Sequence, residues 1–200
     1  LENGLGAGVT FFSLEKMLKD IYDWAQDLYH GPETMGMTFT AGGTESVFEA
    51  FRTARNRARA RGMEGRLNLI IPYTAHPAID KAAQIMEIDI IRVPVDAEYR
   101  ADVPAMAAAI NDKTFFILGS AVCYPYGIYD PIEELGALAV EHDIWLHVDG
   151  CWGGFINPFA KQLGYAVPKW DLEVPGVMSI STDLHKFAFS TKGASLMLQR

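Results

Sequence analysis

Only two of the 200 residues are cysteine, Cys123 and Cys151. Two cysteines cannot build a disulfide framework, so a reducing compartment, the cytoplasm, is expected. They form no Cys-x-x-Cys pair. The histidines at 30, 76, 142, 147 and 185 show no i, i+4 spacing, so no metal site is expected. Cationic residues are in deficit: 17 Lys and Arg stand against 25 Asp and Glu, a net charge of −8. Phosphate-backbone affinity comes from clustered cations, so a nucleic-acid partner is not expected. No apolar run approaches the roughly 18 residues that suggest a membrane span. The first residues show neither a basic stretch nor an apolar one that would read as a secretion signal. There is no Gly-x-Ser-x-Gly elbow either. What is abundant excludes disorder, since half of the residues are apolar and 12% are aromatic.

The length allows one large domain or two small ones. The chain opens on Leu1 and closes on the apolar run 194–200, which reads as an unfinished strand. A piece of a longer protein is therefore expected.

Periodicity predicts a first helix from Ser13, a good N-cap, with Leu14, Met17, Leu18, Ile21, Ala25 and Leu28 on one face. Gly31-Pro32 stops it. A strand over 37–40 leads into a helix over 44–61. That helix buries Val47, Phe51, Ala54 and Ala58, and its arginines read as a solvated face. Strands then follow over 67–71, 88–93, 114–119, 144–148, 177–181 and 195–198. Helices over 76–86, 103–110 and 131–141 fall between the first of them. Short apolar strands alternating with helices predict an α/β fold, a mainly parallel sheet covered on both faces. In such sheets ligands bind beyond the carboxyl ends of the strands.

That rule selects candidates before any motif is named. Gly42-Gly43-Thr44-Glu45-Ser46 follows a strand and opens a helix. Glycines admit close backbone approach, and a helix N-terminus offers free N–H groups to an anion such as phosphate. Thr44 and Ser46 would add hydroxyl donors, while an ordinary strand-to-helix turn is the other reading. Asp149 ends a strand and should face the crevice as a metal ligand, a general base or a partner for a protonated ring nitrogen. Lys186 follows the 177–181 strand. Partial desolvation would lower its proton affinity and make it a nucleophile toward aldehydes. His76, near a strand end, offers a flat ring for stacking. His147, expected to point away from Asp149, is read as structural. Cys123 has no basic partner in sequence. A phosphate loop, a lone carboxylate and a reactive lysine on one sheet edge suit pyridoxal 5′-phosphate.

The residues also match a family pattern. Its anchors are Ser13-Leu14-Glu15-Lys16-Met17, Thr40-Ala41-Gly42-Gly43-Thr44-Glu45-Ser46, Ala75-His76-Pro77-Ala78, Tyr126-Gly127-Ile128-Tyr129-Asp130-Pro131, Leu146-His147-Val148-Asp149 and Asp183-Leu184-His185-Lys186, with Lys192-Gly193 after them. By these the chain resembles the pyridoxal-phosphate group II decarboxylases over nearly all of its length. Residues 75–78, 119–131 and 191–193 tilt it toward the sphingosine-1-phosphate lyase branch, with its bacterial members. The resemblance implies a fold type I PLP-dependent large domain over 31–200 behind an N-terminal helical segment over 1–30. The small C-terminal domain would lie outside this chain.

It implies a homodimer and a small-molecule amine or amino-acid substrate. The activity implied is carbon–carbon lysis through an external aldimine with release of an aldehyde. A glutamate or aromatic amino-acid decarboxylase of the same family is the alternative, as is a non-catalytic cofactor-binding fragment. An aminotransferase would fit the Lys/Asp pair but not the anchors. By the same resemblance Lys186 bonds the cofactor, Asp149 binds the ring nitrogen and His76 stacks on the ring. Gly43, Thr44 and His185 contact the phosphate, Ser181 joins them, and Lys192 sits near the anionic end of the site. One position departs: Gly150 stands where these relatives usually carry Ala, which is expected to loosen the cofactor's seat without abolishing function. Alone, a chain of this length is expected to be inactive.

Overall fold

The computed structural model describes residues 11–200; residues 1–10 of the expected N-terminal segment lie outside the described residues. In chain order the elements are α1 (Phe12–Leu28), β1 (Gly36–Thr40), α2 (Gly43–Ala60), β2 (Asn68–Pro72), α3 (Ala78–Ile85), β3 (Asp89–Val93), α4 (Val103–Ala109), β4 (Thr114–Ser120), α5 (Ile132–His142), β5 (Trp145–Asp149), α6 (Asn157–Gln162), β6 (Val177–Thr182) and β7 (Ser195–Gln199). Ser13 falls inside α1, whose N-cap is Phe11 without a side-chain bond. The six-residue α6 has no counterpart in the sequence reading. Asn157-Pro158 opens it after a glycine pair, too short for an apolar period to register.

The seven strands form one sheet in the order β1-β7-β6-β5-β4-β2-β3. The pairs from β3 to β6 are parallel, as expected for crossover connections through helices. β7 is antiparallel to both of its neighbours, β6 and β1. So among the described strands β7 alone runs against the rest.

Strand alternation sends side chains into two apolar layers. On one face Leu69, Ile71, Phe116 and Leu118 meet Val47, Phe51 and Ala54 of α2 and Ile79 and Ala82 of α3. The Phe51 and Phe116 rings meet edge-on with centroids 4.6 Å apart. On the other face Ile70, Ile117, Leu146 and Val148 meet Met106 of α4 and Leu135 and Leu138 of α5, with Ala25 of α1 and Tyr29 just after it in the same layer. The N-terminal half of α1 is less embedded: Phe12, Leu14, Met17 and Leu18 are exposed. Arginines of α2 and its C-cap Arg61 are engaged by neighbouring groups. Arg52 pairs with Glu49, Arg57 and Arg61 with Asp143, and Arg59 donates to the Met63 and Gly65 carbonyls. Among the described residues no helix is long and apolar enough to cross a membrane.

One buried carboxylate ties the fold together. Asp130 accepts the Ala101 N–H at 2.7 Å on Oδ1 and the Ser120 N–H at 2.6 Å on Oδ2. Burial pushes its pKa up to about 6, although both backbone donors favour the charged form. An amide can accept only one of these bonds. Asp130→Asn is therefore expected to cost about 1–3 kcal/mol, read as a lower urea midpoint. An unchanged midpoint would show that Asp130 contributes nothing to stability.

Candidate active site

Three strand ends meet at one cavity of about 770 Å³. β1 delivers Ala41-Gly42-Gly43, β5 delivers Asp149, and β6 delivers Asp183, His185 and Lys186. The helix after β1 starts one residue earlier than expected: Gly42 is its N-cap at φ +151°, and Thr44 is its second residue. A side chain at Gly42 would be strained by that angle. A Cβ at Gly43 would lie 2.6 Å from Cys151 Sγ and 3.0 Å from Asp183 Oδ1. The N–H groups of Gly43, Thr44 and Glu45 have no acceptor among the described residues. They are the free donors of a helix N-terminus. Ser46 does not join them. Its hydroxyl is buried between Thr40 Oγ1 at 2.6 Å and Ser195 Oγ at 2.9 Å, pinning the start of α2 to β7.

Asp149 Oδ1 accepts the Cys151 N–H at 3.0 Å, and the residue lines the cavity. His147 stands two residues earlier and so shares its face of β5, contrary to the expectation that it points away. It is fully buried. Its Nδ1 is 2.8 Å from Ser179 Oγ and its Nε2 3.2 Å from Ser181 Oγ. Burial lowers its pKa to about 4, so the ring is neutral near pH 7.

Lys186 Nζ lies 2.8 Å from Asp183 Oδ2. Its proton affinity is raised, where the sequence led us to expect a lowered one. Burial does pull it down, but Cys151, the Asp183 hydrogen bond and the charges of Asp183 and Asp149 outweigh that. Cys151 is itself a neutral thiol, its pKa pushed well up by burial, so the two carboxylates hold the proton. His185 accepts the Ala194 N–H on Nδ1 at 3.1 Å, which leaves the proton of a neutral ring on Nε2, 3.6 Å from Asp183 Oδ2.

His76 precedes α3 instead of opening it, and its Nδ1 accepts the Ala78 N–H at 3.0 Å. Its ring meets that of Tyr124 edge-on at 5.0 Å. Of the candidate residues, Gly43, Thr44, His76, Asp149, His185, Lys186 and Lys192 all line the cavity. Ser181 does not: it is fully buried beneath, facing His147 and Cys151. Asp183, Cys151 and Tyr124 line the cavity without having been singled out. The signal for Asp183 was its place directly after a strand, three residues before Lys186.

Gly150 corrects a further expectation. A Cβ there would not face the cavity. It would meet the Trp170 ring at 2.9 Å and the Ser181 carbonyl at 3.0 Å. The missing methyl thus makes room for Trp170 and leaves the cavity unchanged. Because one of the two contacts is backbone, Gly150→Ala should destabilise by about 1–3 kcal/mol, measured as a fall in melting temperature. A wild-type melting temperature would count against this packing.

A family model for the pyridoxal-dependent decarboxylase conserved domain matches residues 13–200. The chain belongs to that family. It is 49% identical over 161 residues to a sphingosine-1-phosphate lyase of Arabidopsis thaliana, covering 80% of this chain and 30% of that protein. It is 42% identical over 174 residues to a probable L-tyrosine/L-aspartate decarboxylase of Methanocella arvoryzae, covering 87% of this chain and 44% of that protein. Among solved structures, the sphingosine-1-phosphate lyase of Burkholderia pseudomallei superposes with a TM-score of 0.90 at 40% identity, covering 94% of this chain and 45% of that one. The chain spans less than half the length of each of these three.

The family's cofactor is pyridoxal 5′-phosphate, and the residues present fit it. The Gly42-Gly43 cradle has unpaired amides for a phosphate, and Lys186 and Asp149 share one cavity with it.

Proposed function

We propose that this chain is the cofactor-binding part of a pyridoxal-phosphate-dependent carbon–carbon lyase of the sphingosine-1-phosphate lyase type. It would cleave a Cα–Cβ bond in a small amine substrate and release an aldehyde. The observation that carries the reading is the meeting of Lys186, Asp149 and the Gly42-Gly43 cradle on one cavity. Bound there, the cofactor supplies an aldehyde for covalent attachment and a ring that withdraws electrons from the bond being broken.

The chain's own residues would divide the work. The amides of Gly43 and Thr44, with His185, hold the phosphate. Asp149 holds a proton on the ring nitrogen. His76 covers one ring face, kept in place by its bond to the Ala78 N–H. Lys186 is the attachment point. Lys192, at the cavity wall, meets the anionic end of the substrate. Ser181 lies beneath these residues, against His147 and Cys151, and would not touch the cofactor. We place these roles in the large domain over 31–200, in a homodimer, in the cytoplasm. Both cysteines are free and buried, which suits a reducing compartment. The 200-residue chain by itself should not turn over substrate, which a side-by-side assay with the full-length protein checks.

Amino-acid decarboxylation is the second reading, favoured by the 42% identity to the Methanocella protein. Full-length protein supplied with a phosphorylated sphingoid base should release an aldehyde. Carbon dioxide from glutamate, tyrosine or aspartate, with no aldehyde, would establish the second reading instead.

A further inference from the structure

Two buried carboxylates in this chain are treated in opposite ways. Asp130 has a backbone N–H on each oxygen. Asp183 is as deeply buried, at 2% exposure, yet its Oδ1 has no hydrogen-bond partner among the described residues. Its Oδ2 meets one hydrogen-bonding group, Lys186 Nζ at 2.8 Å, with His185 Nε2 farther off at 3.6 Å. A buried charge is costly unless paired. A carboxylate serving only the fold would be satisfied as Asp130 is. Gly43 adds a second sign. Any side chain there would press on Asp183 Oδ1 and Cys151 Sγ, so the glycine leaves room for the carboxylate.

We propose that Asp183 is a positioning residue for Lys186. Its carboxylate clamps Nζ as an ammonium in the cofactor-free chain, and the amine becomes a nucleophile only when it gives up that proton to water in the open cavity. The loss leaves a neutral amine on Lys186 and a carboxylate on Asp183. This rests on the reading of Lys186 as the attachment point. Other titratable groups line the same cavity from each neighbouring element: Asp149 and Cys151 from β5 and the loop after it, Glu45 and Glu49 from α2, His76 and Lys81 from before and within α3, Tyr124 from after β4, and His185 and Lys192 from the β6–β7 connection. Asp149 works with Asp183 in holding the proton on Lys186. Asp183 is the one within hydrogen-bond distance of Nζ.

The test needs no turnover. Cofactor-free full-length protein is labelled with acetic anhydride across a pH series, and each lysine is followed by peptide mass spectrometry. In the wild type, Lys186 should reach half-reactivity at a higher pH than the exposed Lys169. In Asp183→Asn its midpoint should fall by about one pH unit, giving about ten-fold faster labelling near neutral pH. A wild-type Lys186 that titrates with or below Lys169 overturns the proposal, even if the variant does not fold. So does a folded Asp183→Asn with an unmoved midpoint. Failure of the protein to bind pyridoxal phosphate would refute the proposed function and leave this labelling result standing.

Discussion

Lys186→Ala is expected to abolish covalent capture of pyridoxal phosphate. The full-length wild type, mixed with the cofactor, should show a visible absorption band. Borohydride should then fix the cofactor's mass on the peptide that holds Lys186. The variant should show neither. Turnover should fall on the order of 10⁴-fold or more, since an attachment point has no partial substitute. Stability should fall too, by about 1–3 kcal/mol, because Asp183 stays buried while Lys186 Nζ, 2.8 Å away in the wild type, is gone. Circular dichroism separates that loss from unfolding. A variant that still fixes the cofactor would move the attachment point to Lys81 or Lys192, the two other lysines on the cavity wall.

Asp149→Ala is expected to separate attachment from chemistry. Lys186 should still capture the cofactor, because Asp149 is only one of the charges that hold its proton. Turnover should drop by about 10³-fold, corresponding to about 4 kcal/mol of transition-state stabilisation. On the proposed reading, losing the carboxylate at the end of β5 would leave the ring nitrogen without the group that holds its proton, and an uncharged ring withdraws electrons poorly. A variant with near-normal turnover would remove Asp149 from the chemistry. It would leave it the local role of accepting the Cys151 N–H.

Much of this architecture is legible in the chain itself. The apolar faces of α2 and of the central strands follow a period, and period is a local property that a window of residues displays. The rule that parallel strands end at the binding crevice then brings Gly43, Asp149 and Lys186 to one edge, where the structure has them. What escapes reading depends on distant contacts. Gly150 gives no hint that its hydrogen faces Trp170, twenty positions on. Ser181 sits at a strand end like Asp149 but is buried by His147 and Cys151. Lys186 shows the same limit in charge: burial can be guessed from position, while the neighbours that together outweigh it, Cys151, Asp183 and Asp149, meet only once β5, β6 and their loops are folded.

The single reversed strand has a consequence in time. Among the described residues β1 pairs only with β7, so the second-earliest element described waits for Ser195–Gln199 before it has a strand partner. On a ribosome the chain grows from the N-terminus, and long-range pairing is slow because the intervening loop must close first. β2 to β6 can assemble among themselves while β1 hangs unpaired. The glycine turn after β1 is therefore expected to gain its strand support only once Ser195–Gln199 has emerged, when Ser195 also reaches Ser46. Truncated nascent chains ending before β7 should have a largely formed sheet and no grip on phosphate, so the anion cradle matures after the Asp149 and Lys186 strand ends.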